Sequence, residues 1–267
     1  MGTPRDLTTR PLPPGQVATT LRRFGLPRFA RVRPHLPERP VVTVTGAVRH
    51  PTQFPLDDLL DPRRRRAQRA DLHCVTTWTA QDLRWEGVPF GGVHEFLAAH
   101  VDVHPAVRWV TVTGLDGYRA CLRIDDILAD EVLLADRLAD APLDLDHGAP
   151  LRLVAPAHYG YKSVKHVCAI EYRRDYDPGS ARWAAHPRGR VAHEERSAYL
   201  PGLLWRPVWR ALLPRVRQRY DRTTQDDRLE CNERGHSRIR GAGTEVESTI
   251  GSGRWSSLST WHGSGPR

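Results

Sequence analysis

The chain has 267 residues, 39% of them hydrophobic, enough for one sizeable core or for one core and a tail. Its formal net charge is +9, from 40 Lys and Arg against 31 Asp and Glu, and nearly all of the basic residues are Arg. That balance suits a nucleic acid, a membrane surface or a small anionic ligand, and composition does not separate the three.

Residues 1–40 are rich in Pro and Arg and predict an extended arm that wraps the domain. Within it, Met1 to Thr20 lacks the apolar stretch of a secretory signal, and no hydrophobic run follows Arg22-Arg23-Phe24 as a twin-arginine signal requires. Val41 to Val48, VVTVTGAV, is β-branched and predicts a strand. Thr52 to Leu60 ends in a short helical pattern with Leu56, Leu59 and Leu60 on one face. Arg63 to Arg66 reads as a solvated charge run. Arg84 to Pro89 predicts a short strand and a turn, and Val93 to Val101 a helix. Arg108 to Thr113 and Tyr118 to Ile124 are strand-like and flank Gly114-Leu115-Asp116-Gly117, a hairpin turn. A short helix from Asp125 and strands at Val132 to Ala135, Leu151 to Val154 and Val164 to Tyr172 complete the series. Strands and short helices alternate without a strict βαβ rhythm, which predicts an α+β domain with mixed sheets over residues 41–220. Its last part predicts short helical pieces broken by Pro201, Pro207 and Pro214. Residues 221–267 are polar and rich in Gly and Ser and predict a disordered tail.

The four cysteines, Cys74, Cys121, Cys168 and Cys231, form no CxxC pair, and their wide spacing does not suit a disulfide-dense secreted domain. No run of about 18 apolar residues is present, so no membrane span is expected. These features together predict a cytoplasmic protein with reduced thiols. Cys121 and Cys168 lie in apolar strand-like runs and predict core positions, and Cys231 falls in the polar tail. Cys74 differs: it lies between His73 and Thr76-Thr77-Trp78. A thiolate there would be a soft ligand for a metal, kept ionised by basic groups and backbone donors. A free Cys is more commonly a small buried hydrophobe, and that reading stands beside the first.

His73-Cys74-Val75-Thr76-Thr77-Trp78 resembles the metal-ligand loop of molybdopterin-dependent oxidoreductases of the sulfite-oxidase fold. A second block, His147-Gly148-Ala149-Pro150-Leu151-Arg152-Leu153-Val154, then Pro156, then Tyr159-Gly160-Tyr161-Lys162-Ser163-Val164-Lys165, is similar to the family's GAPLRL…P…GYKSVK signature. The resemblance runs from Val41 to Tyr172. It is nearest to the small branch of bacterial sulfite-oxidase-like proteins and methionine-sulfoxide-reducing catalytic subunits. It implies the sulfite-oxidase molybdopterin-binding fold, molybdenum and molybdopterin as cofactors, and Cys74 as the protein ligand to the metal. It further implies pterin contacts at Thr111, His147, Arg152, Ser163, Val164 and Lys165, although that branch often carries Asn where this chain has His147. The chemistry of the second block suits an anionic cofactor end: Arg152 offers a two-pronged guanidinium, Lys162 and Lys165 ammonium groups, and Gly160 room for a close backbone approach. Taken without the resemblance, Thr111 reads as ordinary sheet, Val164 as core, and Arg152 and Lys165 as surface charges.

His73, Trp78, Arg84 and His158 are the residues expected beside the metal's open position, with Arg84 or His158 steering an anion such as sulfite. The implied reaction is oxygen-atom transfer on a small oxyanion, S-oxide or N-oxide, and sulfite dehydrogenation remains open. With no haem-binding segment identified, electrons are expected from a separate transfer partner. A basic nucleic-acid-binding protein or a cofactor-free scaffold is the alternative of a different class. The first lacks a recognisable reading motif, so no nucleic-acid partner is expected.

Overall fold

The β-branched and alternating segments build two mixed sheets, and one helix seals the larger core. The structure, a computed structural model, describes residues 11–21, 23–182 and 185–242, with side chains described as far as residue 222. In chain order the elements are β1 (Val17–Thr19), β2 (Val41–Gly46), β3 (Thr52–Pro55), α1 (Leu56–Leu59), β4 (Arg66–His73), β5 (Trp78–Pro89), α2 (Phe90–Val101), β6 (Trp109–Gly114), β7 (Arg119–Arg123), α3 (Ile124–Ile127), β8 (Leu133–Leu138), β9 (Ala141–Pro142), β10 (Arg152–Val154), β11 (Val167–Arg173) and α4 (Gly202–Ala242).

One sheet has the order β3-β2-β11-β6-β7, with β2 and β11 parallel and the other pairs antiparallel. Val42, Val44, Val110, Val112 and Ile170 alternate along its strands and are buried. Against them stands α2, whose Phe90, Val93, Leu97 and Val101 recur at helical spacing and join the same cluster. Each such side chain contributes about 1.5–3 kcal/mol by leaving water. The helix stops where Asp102 turns left-handed.

The second sheet follows the path β1-β5-β8-β10, with β4 added on β5 and β9 on β8. β5 is its axis. One edge takes β4, whose His73 pairs with Thr79; the other takes β1 at Trp78 to Ala80 and β8 at Trp85 to Pro89. A smaller core of Ala70, Trp85, Leu133, Ala135, Leu143, Ala149 and Val154 lies on this sheet.

The mixed-sheet α+β expectation holds, and several local expectations change. The strand expected over Arg84 to Pro89 begins already at Trp78. The N-terminal arm is part of the sheet, since β1 pairs in parallel with β5; residues 1–10 and Arg22 lie outside the described residues. The pieces expected between Pro201 and Tyr220 are one helix, α4, with Pro207 and Pro214 inside it. Both prolines face solvent, so the carbonyls left without an amide partner are open to water, and neighbouring Leu, Ala and Arg favour the helix. The tail expected to be disordered from residue 221 is helical as far as Ala242; the Cys231 side chain and residues 243–267 lie outside the described residues. The compact unit that carries both sheets ends at Thr223. The Arg63 to Arg66 run disperses its charge: Arg63 pairs with Asp61, Arg64 with Glu95 and Arg65 with Asp136. Among the described residues no helix is long and apolar enough to cross a membrane.

Candidate functional site

Cys74 opens the four-residue turn from β4 to β5. The Cys74 amide donates to the Trp78 carbonyl at 2.8 Å, and the Thr77 amide to the Cys74 carbonyl at 3.2 Å. Thr77 takes a left-handed φ of 76°, costly for a β-branched residue and sustained only where neighbours fix the turn. Two of those neighbours are remote. Gln16 Nε2 donates to the Cys74 carbonyl at 3.1 Å. Arg196, 1% exposed, donates to the Val75 carbonyl at 2.7 Å and to the Pro14 carbonyl at 3.2 Å, and its guanidinium lies 5.1 Å from the centre of the Tyr159 ring. The Cys74 sulfur is 3.0 Å from Thr76 Oγ1. Burial pushes the thiol up, while Thr76, Arg217 and Arg196 pull it back toward the ionised form.

The second block folds on itself. The Asp144 carbonyl accepts from the amides of His147, Gly148 and Ala149, and its carboxylate accepts from His147 at 2.7 Å. Gly148 has a φ of 113°, and a Cβ there would lie 3.1 Å from Arg152 Cβ and 3.2 Å from Lys165 Cα. Arg152 Nη1 donates to the His147 carbonyl at 2.8 Å, and the guanidinium sits 4.8 Å from the centre of a Trp85 ring. Leu153 donates to the Val164 carbonyl and Val167 to that of Leu151, tying the two halves of the block together. The Ala155 amide donates to Ser163 Oγ at 3.2 Å. His166 Nδ1 faces the Ala149 carbonyl at 2.5 Å, so that nitrogen carries the proton. Burial brings Arg152 down to about 10. Burial, with Arg152 and Arg23 adding like charge, brings Lys165 down to about 7.

Both segments face one cavity of about 330 Å³. Cys74, Trp78, His147, Arg152, Ser163 and Lys165, all expected from the sequence, line it together. The arm supplies a wall from Leu21 and Arg23 through Phe24 to Val32, and α4, which the sequence did not place there, adds Trp209, Val216 and Tyr220. Phe24 packs edge-on against Trp78 at 5.6 Å and tilted against Tyr220 at 5.5 Å. Four buried donors on lining residues have no acceptor among the described residues: Arg23 Nη1, Trp78 Nε1, Arg152 Nε and Trp209 Nε1. Buried donors are normally satisfied, so these suit a ligand rich in acceptors. Arg23, Arg152 and Lys165 outnumber Asp116, the one acid on the lining, which suits an anion. An anionic, acceptor-rich cofactor with its metal near Cys74 therefore fits the residues present. Among the described residues no group of three or more His, Cys, Asp or Glu could hold a metal alone, so one at Cys74 needs ligands from elsewhere.

Other expected residues lie off the cavity. Arg84 alternates to the outer side of β5, where it pairs with Asp140 and, at 3.4 Å, with Glu86; it steers nothing toward Cys74. His158 is buried 3.6 Å from Asp126, which Arg188 also holds, in a separate charge cluster. His73 points into the sheet, where Nδ1 meets Thr79 Oγ1 at 2.9 Å, and burial lowers its pKa. Thr111 is buried in β6 opposite Cys121, and Val164 belongs to the large core, so neither side chain reaches the cavity. Lys162 turns away to the carbonyls of Cys121 and Pro187. The glycine the block requires is Gly148 rather than Gly160, where a Cβ would meet only an ordinary contact, 3.4 Å from the His73 carbonyl.

The sequence profile described as oxidoreductase molybdopterin binding domain matches residues 31–181. The chain is 33% identical over 136 residues to the uncharacterized oxidoreductase YuiH of Bacillus subtilis (strain 168), covering 51% of this chain and 66% of YuiH. It is 34% identical over 144 residues to the protein-methionine-sulfoxide reductase catalytic subunit MsrP of Xanthomonas campestris pv. campestris, covering 49% of this chain and 44% of MsrP. Its match thus spans between 44% and 66% of these two relatives. Among solved structures, the sulfane dehydrogenase SoxCD of Paracoccus pantotrophus aligns with a TM-score of 0.48 and 21% identity, over 58% of this chain and 43% of that one. With more than half its length matched and the cavity lined as described, the chain belongs to the oxidoreductase molybdopterin-binding domain family.

Proposed function

We propose that this chain is a molybdopterin-dependent oxidoreductase that transfers an oxygen atom on a small S-oxide or N-oxide, with Cys74 as the protein ligand to molybdenum. The observation that carries the reading is the shared cavity: Cys74 and the Arg152, Ser163 and Lys165 cluster lie far apart in sequence yet line one space. Bound there, the cofactor supplies a redox metal able to exchange an oxygen atom and two electrons with substrate. Arg152 and Lys165 hold the cofactor's phosphate by charge-assisted hydrogen bonds, and the Trp78 and Trp209 indoles offer it unshared donors. The Thr76 hydroxyl orients the Cys74 sulfur. Phe24, Trp78 and Tyr220 exclude water from the lining.

An S-oxide is favoured over sulfite because Arg84 and His158, the residues expected to steer an anion, lie elsewhere. A separate protein delivers electrons, and a reducing cytoplasmic setting suits the unpaired thiols of Cys74, Cys121 and Cys168.

The test is metal analysis and pterin fluorescence on the chain expressed in a cofactor-producing host, followed by turnover with S-oxides, N-oxides and sulfite. Metal and pterin co-purify near one per chain if the reading is right. Cys74→Ser abolishes turnover and leaves the melting temperature nearly unchanged; full turnover in that variant refutes the assignment.

A further inference from the structure

The first half of α4 has two faces. Inward, Trp209 and Val216 line the cavity and Tyr220 is buried. Outward, with the segment just before it, it bears a strip of large apolar side chains: Tyr199 is 67% exposed, Leu203 64% and Leu204 56%, followed by Val208 and Leu212. Leu204, Val208 and Leu212 recur every fourth residue and so stand on one side of the helix. Single exposed hydrophobes are ordinary, but a contiguous row marks an interaction surface.

The charge of the same stretch narrows the partner. From Gly202 to Arg222 there are six arginines, Arg206, Arg210, Arg215, Arg217, Arg219 and Arg222, against the single acid Asp221. Arg206 is committed to Glu194. Arg210 and Arg215 are exposed and carry no ion pair among the described residues. Arg215 and Arg219 continue the line of Leu204, Val208 and Leu212, so the exposed face runs from apolar to cationic along one side of the helix. An apolar row continued by arginines is the make-up of a helix that lies flat in the interface of an anionic bilayer. There the apolar side chains reach the acyl boundary, and the long arginine stems bring their charge to the phosphates.

We propose that this face of α4, with Tyr199 and Leu200 ahead of it, docks the protein on an anionic membrane surface. The inference is independent of the cofactor assignment, because none of its residues lines the cavity.

The test is flotation of the full chain with vesicles of phosphatidylcholine alone and of phosphatidylcholine containing phosphatidylglycerol, over a range of salt. The wild type floats with the anionic vesicles, and less so as salt rises. The variant Arg215→Gln, at an exposed site on the same line as Leu204, Val208 and Leu212, loses roughly fivefold in partitioning. Leu204→Ser/Leu212→Ser loses about tenfold or more. Absence of flotation with anionic vesicles overturns the proposal, as does flotation that neither variant weakens. Light scattering on the same samples covers the competing occupant. A wild-type dimer that the leucine variant converts to monomer, without flotation, shows that a second copy covers the strip and refutes the membrane assignment.

Discussion

The two segments that build the cavity are held in opposite ways. The Cys74 turn is anchored from far along the chain, by Gln16 at a separation of 58 residues and by Arg196 at a separation of 121. The block from Asp144 to Val167 anchors itself, through the Asp144 carbonyl, the Arg152 to His147 contact and the Val164 and Leu151 carbonyls, which accept from the Leu153 and Val167 amides. A self-anchored block keeps its shape wherever its own sequence is kept. A remotely anchored turn keeps its shape only when the rest of the protein is folded around it. The Cys74 sulfur therefore depends on global assembly, and the proposed phosphate clamp on local geometry.

Removing the remote anchor is the largest expected perturbation. Arg196→Ala strips charge-assisted donors from the buried Val75 and Pro14 carbonyls and should cost about 3 kcal/mol. That corresponds to a fall of roughly 6–12 °C in melting temperature. The same variant should speed hydrogen exchange at the Cys74 and Thr77 amides, because the turn is freed. An unchanged exchange rate would show that the turn holds without its distant support.

The matching perturbation of the local block is Gly148→Ala. A left-handed φ and a Cβ crowded by Arg152 and Lys165 should destabilise the protein by about 2 kcal/mol in urea unfolding and lower cofactor retention further. A cost within about 0.5 kcal/mol would mean that the block tolerates reshaping and that its self-anchoring is weak.

A smaller effect separates the charge of the clamp from its shape. Lys165 sits near 7 in the empty protein, and an anion favours its protonated form. Between pH 7 and 9, binding must take up a proton, so affinity for pyrophosphate as a probe should fall by up to tenfold per pH unit. Lys165→Met should bind weakly and without this slope, measured by titration calorimetry. The linked stability runs the other way. The unfolded lysine keeps its proton up to its ordinary pKa, so between pH 7 and 10 the unfolded chain binds more protons and the empty folded protein gains stability as pH rises. The smallest effect is expected at Gly160→Ala, where an ordinary contact predicts a change within about 0.5 kcal/mol. A large loss there would move the site of close backbone approach from Gly148 back to Gly160.

The same contrast explains what could be read in advance. The α+β class and the presence of β2, β6 and α2 follow from local pattern, and the six cavity residues from Cys74 to Lys165 from the resemblance carried by two compact sequence blocks. Gln16, Arg23, Arg196 and Trp209 do not, because each acts through contacts with residues remote in sequence. Arg84 and His158 were expected at the site for their nearness in sequence to the two blocks. A strand sends successive side chains to opposite faces, and Arg84 falls on the outer one. His158 lies within the second block but is claimed by Asp126 and Arg188. The helix over Gly202–Ala242 was obscured by Pro207 and Pro214, whose cost is modest where freed carbonyls meet solvent.

β1 carries one more consequence. Among the described residues Val17 to Thr19 form strand pairs only with Trp78 to Ala80, which follow much later in the chain. As the polypeptide emerges from the ribosome, these residues come out before β5 and have no strand to zip onto until it exists. The arm between them, from Leu21 to Val32, forms the cavity wall, so that wall cannot seat before the strand it leans on. The chamber therefore stays open on that side until β5 has formed.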